Sequence, residues 1–248
     1  MAGHSHFKNI MRRKGAQDAK RAKVFTKIAR EIIVAARGGP DINFNARLRT
    51  IVATARQAGL PKDRIEASIA KGSGTGEMDS YEAIRYDGYG PGGVALIIEG
   101  LTDNRNRTAP EMRQIFTKYN GNLSESGAVD FMFDHVGLIE YTADKIAEDA
   151  MLEAAIDAGA DNCESADGTH TITTTMEGFA EVREALVKKF GDPISAKLAY
   201  VAKITAPVAG SDAESLMNLV EALEDNDDVQ NVYTNAEFDE ATLQKLSA

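Results

Sequence analysis

An α+β fold in three domains, a basic helical domain followed by two α/β domains, is predicted by three features of the 248-residue sequence. Sixteen of the 28 lysines and arginines fall in residues 1–71 against five acids, net +11, which leaves −21 on the remainder of a chain of net charge −10. A glycine-rich run, Gly72-Ser73-Gly74-Thr75-Gly76, then interrupts the patterning. Beyond residue 136, segments of strand and helix periodicity follow one another in a regular order. At 43% hydrophobic residues the chain has enough apolar material for several cores.

The elements follow in order. Over 17–37 a helical period collects Phe25, Ile28, Ala29, Ile32 and Ala36 on one face, with Lys20, Lys23, Lys27, Arg30 and Arg37 on the other. Gly38-Gly39-Pro40 ends this helix, because glycine suits its last turn and proline cannot continue it. A second helix over 44–58 buries Leu48, Ile51, Val52 and Ala55 and leaves Arg47, Arg49 and Arg56 outside. Gly59-Leu60-Pro61 breaks it, and Ile65 and Ile69 continue the core on a shorter third helix. The run 72–76 reads as a flexible linker. Strands at 82–89 and 93–101, joined at Gly90-Pro91-Gly92-Gly93, precede a helix over 107–119. Next come strand 137–142, helix 144–158, strands near 161–166 and 169–175, helix 177–190 and strand 197–205. That order is β-α-β-β-α-β, the ferredoxin-like arrangement. A strand near 204–208, a helix over 212–225 and a strand over 229–235 supply the half that the 82–131 unit lacks. The expected organisation is a basic helical nucleic-acid-binding domain at 1–76, a discontinuous α/β domain at 80–132 and 206–240, and a ferredoxin-like domain inserted at 133–205.

Such charge asymmetry suggests a polyanionic partner for the basic part. Ahead of the first helix, His4, His6, Lys8, Arg12, Arg13 and Lys14 form a polar arm with too few apolar residues to fold alone, suited to neutralising phosphate. The expected phosphate-binding set adds Lys20, Lys23, Lys27, Arg30 and Arg37 on the first helix and Arg47 and Arg49 on the second. Arg105 and Arg107 join it, since the stretch 103–108 that holds them immediately precedes a helix whose free N–H groups favour an anion. The bland alternative there is capping by Asn106 or Thr108, with both arginines paired to nearby acids. For the first helix, the alternative is that the cations only hold two parts of one protein together, and their alignment on one face argues against it. Phosphate contacts carry no base information. No helix-turn-helix register, zinc-finger spacing or RNA-recognition-motif signature is readable.

Enzymatic constellations fare poorly. Gly88 to Gly93 lacks the Lys-Ser/Thr of a P-loop and sits where a hairpin needs glycine. Cys163 with His135 and His170 has no nucleophile signature and reads as an inert thiol. Asp225, Asp227 and Asp228 lack EF-hand spacing and read as a solvated helix end. No catalytic residue, cofactor, metal site or small-molecule substrate is expected. One cysteine excludes an intramolecular disulfide, no apolar run is long enough to span a bilayer, and the N-terminus lacks a signal peptide's apolar core. A cytoplasmic location away from membranes is the expectation.

Three long runs, MAGHSHFKNIMRRKGAQDAKRAKVFTKIAREI, GGPDINFNARLRTIVATARQAGLPKDRIEASIAKGSG and YEAIRYDGYGPGGVALIIEGLTDNRNRTAPEMR, resemble the YebC family, and the likeness extends over essentially the whole chain. The resemblance implies a helical basic domain followed by two α/β domains. It also implies a regulator of gene expression, since bacterial members are labelled DNA-binding transcriptional regulators and the similar mitochondrial proteins are translational activators of cytochrome c oxidase. Bacterial members have further been assigned a ribosome-associated role that eases synthesis through stretches such as consecutive prolines. The partners implied are duplex DNA or, alternatively, ribosomal or transfer RNA on the ribosome. A large acidic body is easier to place against protein or solvent than along a duplex, which leans toward the ribosome.

Overall fold

The computed structural model describes residues 17–74 and 81–247. Its N-terminal domain contains α1 (Gln17–Ala36), α2 (Ala46–Gln57) and α3 (Lys62–Gly72). Ile28, Ile32, Ala35 and Ala36 of α1 close over Leu48, Val52 and Ala55 of α2 and Ile65 of α3, all of them buried. Each large aliphatic side chain so buried contributes about 2 kcal/mol, which holds in place α2 and α3, at 12 and 11 residues too short to persist in isolation. Gly72 is not part of a linker. It lies buried in the last turn of α3, where a Cβ would overlap the Ile33 carbonyl oxygen and come within 2.7 Å of Ala36 Cβ. Close approach of α3 to α1 is therefore what requires glycine there. Residues 75–80, the rest of the expected linker, lie outside the described residues.

The chain continues through β1 (Glu82–Tyr89), β2 (Ala95–Thr102), α4 (Arg105–Lys118), β3 (Asn122–Ser124), β4 (Phe133–Thr142), α5 (Glu148–Asp157), β5 (Asn162–Ala166) and β6 (Thr169–Thr174). It then forms α6 (Phe179–Phe190), β7 (Ser195–Ala202), β8 (Ala206–Pro207), α7 (Gly210–Glu224), β9 (Val229–Thr234), β10 (Ala236–Glu237) and α8 (Glu240–Ser247). In the middle domain the antiparallel sheet runs β3-β1-β2-β9, so a strand from near the C-terminus completes a sheet begun before residue 90. Between β1 and β2 the turn at Pro91–Gly93 needs φ of 71° at Gly92 and 73° at Gly93, which glycine adopts without strain. β2 reads as unbroken apolar sequence because both its faces are covered. Leu96 and Ile98 pack with Met112 and Phe116 of α4 and Leu216, Leu219 and Val220 of α7, while Ala95 and Ile97 meet Phe133, Ala199 and Tyr233 at the boundary with the inserted domain.

The inserted domain has the strand order β5-β6-β4-β7, antiparallel throughout. Met151, Ala154 and Ala155 of α5 and Val182 and Leu186 of α6 pack on Ile139, Tyr141 and Ile172. This is the split β-α-β arrangement of a ferredoxin-like unit. Arg85 of β1 ties it to the middle domain: its Nε donates to the buried Asp87 at 2.9 Å, its Nη1 donates to the Tyr200 hydroxyl of β7 at 3.1 Å, and its guanidinium lies over the Tyr200 ring.

Two expectations change. The strand near 204–208 contracts to β8, which pairs in parallel with β10 and takes no part in the four-stranded sheet, whose edge is filled by β3 instead. Pro207 has no N–H to give a ladder, which confines it to such short pairings. The helix α8 was not anticipated; its Leu246, and Phe238 two residues ahead of it, sit in the middle-domain core.

Candidate nucleic-acid interface

The polar face of α1 lies against the end of α7 and the acidic turn that follows. Lys27 Nζ donates to the Glu224 carbonyl at 2.6 Å, and Lys23 Nζ donates to the Asp225 carbonyl at 3.1 Å while pairing with the Asp225 carboxylate at 3.0 Å. The last carbonyls of a helix have no partner within it and carry its negative dipole end, so two lysines from another domain complete α7 both by hydrogen bonding and by charge. Burial pushes the Lys27 ammonium down, against the pull of Glu224, Asp227 and Asp225.

Arg30 reaches deepest. Its Nη1 donates to Asp228 Oδ1 at 2.7 Å and to the backbone carbonyls of Leu101 and Asp227, and its guanidinium lies over the Tyr81 ring. Asp228 is buried because a register shift at Gly100 brings its carbonyl to the Leu101 N–H at 2.8 Å, folding the turn onto β2. The same carboxylate accepts from Thr108 Oγ1 at 2.6 Å, Thr102 Oγ1 at 3.2 Å and Arg107 Nη2 at 2.9 Å. Burial pushes this carboxyl up, but the hydrogen bonds from Thr108, Arg107 and Arg30 outweigh it and hold the group below its ordinary range.

These contacts correct the expected phosphate face. Lys23, Lys27 and Arg30 are turned to the chain's own carbonyls and carboxylates, because the acidic turn at 224–228 offers nearby anions at no cost of bringing in a partner. Of the three acids expected at a solvated helix end, Asp228 is buried in this contact, while Asp225 and Asp227 stay exposed and take part through a half-exposed ion pair to Lys23 and a backbone carbonyl to Arg30. Arg37 is exposed at the end of α1 and donates to the Tyr81 carbonyl at 2.7 Å. Lys20 lies in the first turn of α1, its side chain outside the described ones, and His4, His6, Lys8, Arg12, Arg13 and Lys14 lie outside the described residues altogether. At the start of α4 the bland alternative is what the structure shows. Arg105 pairs with Glu82 at 2.8 Å, Arg107 pairs with Asp103 and Asp228, and the N-cap is Asn104, which accepts from Arg107 N. Neither Asn106 nor Thr108 caps that helix; Thr108 faces inward to Asp228.

Arg47 and Arg49, on the first turn of α2, are exposed and have no ion pair among the described residues, and Arg56 on the last turn is exposed as well. A cleft of about 250 Å³ separates the Arg49 side of α2 from α6, with Arg49 and Thr50 on one wall and Arg183 and Glu184 on the other. Sequence reasoning missed Asp228 as an organising residue. The signal available was the surplus of cations on α1, which demanded anions somewhere in the chain.

The rejected thiol site has a structural account too. Cys163 is half-buried, and burial, with Glu148 and Glu164 adding to it, pushes its thiol up. His170 faces the Ser165 hydroxyl at 2.6 Å and the Ile146 carbonyl at 2.8 Å, and His135 stacks on Tyr200, so the recorded contacts of both rings are to other groups. Among the described residues no group of three or more His, Cys, Asp or Glu is placed to hold a metal, and no helix is long and apolar enough to cross a membrane.

Fold and site together define a three-domain α+β protein in which a basic helical domain is latched by its cations onto an acidic α/β body. The chain belongs to the TACO1/YebC family: residues 5–75 match the TACO1/YebC N-terminal domain and residues 81–236 match the TACO1/YebC second and third domain. Its fold is also similar to the crystal structure of a conserved hypothetical protein, Aq1575, from Aquifex aeolicus. That match has 42% sequence identity and a TM-score of 0.83, covering 92% of this chain and 95% of the other.

Proposed function

We propose that this chain is a non-enzymatic, nucleic-acid-binding regulator of gene expression acting in the cytoplasm, in the family's terms a DNA-binding transcriptional regulator of YebC type. The observation that carries the reading is the set of cations left over once the domains have docked. α2 (ARLRTIVATARQ) has no acid, and its Arg47, Arg49 and Arg56 are exposed on the domain that also bears the cationic arm. Exposed arginines of this kind, with no ion pair among the described residues, attract phosphate and release its counterions. The name of the family model over 81–236, which refers to transcription regulation, points the same way.

A second reading, a ribosome-associated translation factor that contacts ribosomal or transfer RNA and relieves stalling at sequences such as consecutive prolines, is favoured by α3. If α2 and α3 served as a helix-turn-helix, α3 would be the element entering the major groove. Its exposed positions include Asp63 and Glu66, with Lys62 paired to Glu66 at 3.5 Å. Acids on a recognition helix work against a duplex, whereas folded RNA is held through shape and backbone by surfaces that need not enter a groove.

Co-sedimentation with ribosomes, run beside binding to random duplex DNA across a salt series, tests both. Salt-resistant association with ribosomes and weak, salt-labile duplex binding would make this a translation factor. Tight duplex binding that survives competitor DNA, without ribosome association, would make it a transcriptional regulator. Binding to neither would end the nucleic-acid reading.

A further inference from the structure

The loop between α1 and α2 presents an aromatic ring to solvent from a rigid base. Phe44 is 92% exposed, the most exposed of the large apolar side chains described. The backbone beneath it is stitched in place. Asn45 Nδ2 donates to the carbonyls of Ala35 and Gly39, both at 2.8 Å, and its Oδ1 caps α2 by accepting from Leu48 N at 3.0 Å. Asp41 Oδ1 accepts from the Asn43 N–H at 2.8 Å and from Asn43 Nδ2 at 2.9 Å, and Phe44 N donates to the Asp41 carbonyl at 3.1 Å.

A structural role for the ring is hard to find. Phe44 occupies the position just before the N-cap, where an apolar residue ordinarily packs on the fourth residue of the helix. That residue is Arg49, and the exposure of Phe44 shows that neither it nor any other described residue covers the ring. Two cations follow the ring closely in sequence: Arg47 and Arg49 lie three and five positions on, exposed and without an ion pair among the described residues. An exposed aromatic followed by two exposed arginines that have no ion pair among the described residues, on a loop that loses little freedom when a partner arrives, has the composition of a stacking platform for single strands.

We propose that Phe44 stacks on an unpaired base of single-stranded nucleic acid while Arg47 and Arg49 hold the adjoining phosphates. The proposal rests on the nucleic-acid reading above and narrows it, since a base inside a duplex offers no free face. The full-length protein is titrated with a short oligouridylate, an abasic strand of equal length and a duplex of equal length, each across a salt series. Phe44→Ala weakens oligouridylate binding about tenfold and leaves both the salt slope and the other two ligands unchanged. Phe44→Trp retains binding, and because the chain has no tryptophan of its own, the fluorescence it introduces reports the contact alone. Oligouridylate quenches that fluorescence and the abasic strand does not. Arg47→Ala combined with Arg49→Ala weakens all three ligands and flattens the salt slope.

If Phe44→Ala binds oligouridylate like the parent protein, or loses as much on the abasic strand, the stacking proposal is overturned, and a surviving effect of the arginine pair leaves the nucleic-acid reading standing. If the parent protein binds no ligand of the three, both fall together. Circular dichroism of each variant separates a lost contact from a lost fold.

Discussion

At Asp228 four side chains converge on one carboxylate that keeps only 4% of its surface: Arg30 from the N-terminal domain, and Arg107, Thr102 and Thr108 from the middle domain. Truncating it would strand the Arg30 guanidinium, itself only 13% exposed, without its anion. Breaking a buried, hydrogen-bonded pair from one side costs about 3–5 kcal/mol. Asp228→Ala is accordingly expected to lower the unfolding free energy by about 3 kcal/mol in urea titrations at neutral pH. A loss under about 0.5 kcal/mol would show that the carboxylate is a bystander. The pH dependence has a definite sign. A carboxyl held below its unfolded value of about 3.9 contributes stability that is complete above that value and disappears as pH falls through the lower folded one. The parent protein should therefore lose this contribution only below about pH 4, and the difference between parent and variant should shrink there. The sequence showed an Asp-Asn-Asp-Asp run and no more; nothing local distinguishes its buried member from its exposed ones.

Among the elements, α1 was the most legible, since a 3.6-residue period alone separates its apolar stripe from its cations. Its apolar stripe contains the positions that α2 and α3 cover, with Ile28, Ile32 and Ala36 buried and Phe25 partly so. Its polar face was misread because periodicity says which side is polar and nothing about what stands opposite. Local rules misassigned Gly72 in the same way. A glycine before Ser-Gly-Thr-Gly looks like the start of a linker, yet its lack of a Cβ serves the packing of α3 on α1. Gly72→Ala should destabilise the N-terminal domain by about 1–3 kcal/mol through overpacking, read as an earlier thermal transition. Gly74→Ala, at a position with open space but a φ of 81°, meets no neighbouring atom and tests backbone strain instead. Equal stability of the parent protein and Gly72→Ala would mean that α3 can shift to make room, and the close packing would lose its significance.

For the molecule as a whole, the contacts of α1 with the turn at 224–228 decide how the basic domain sits on the acidic body. Their members differ in worth. Lys23 and Asp225 keep 40% and 53% of their side-chain surface, so that pair contributes about 0–1 kcal/mol and is screened by salt, whereas the Arg30–Asp228 pair is enclosed. Arg30→Ala is therefore expected to release the N-terminal domain, seen as a larger radius of gyration in X-ray scattering and a second, earlier calorimetric transition. Lys23→Ala should leave both within error of the parent. If Arg30→Ala remains as compact as the parent protein, the other contacts hold the domain and the enclosed pair is not the latch.

By itself the sequence determined the three domains, the ferredoxin-like order of the inserted one, the amphipathic helices and the concentration of positive charge in the first 71 residues. Each of these is written in local periodicity, turn chemistry or charge counts, which neighbouring residues carry without reference to the rest of the chain. Tertiary structure decided which cations remain available. Lys23, Lys27 and Arg30 are engaged by carbonyls and carboxylates some 200 positions away, while Arg47, Arg49 and the ring of Phe44 are left exposed. A charge has the same appearance in sequence whether its counter-ion is phosphate or another segment of the same protein, and only folding brings the counter-ion to it.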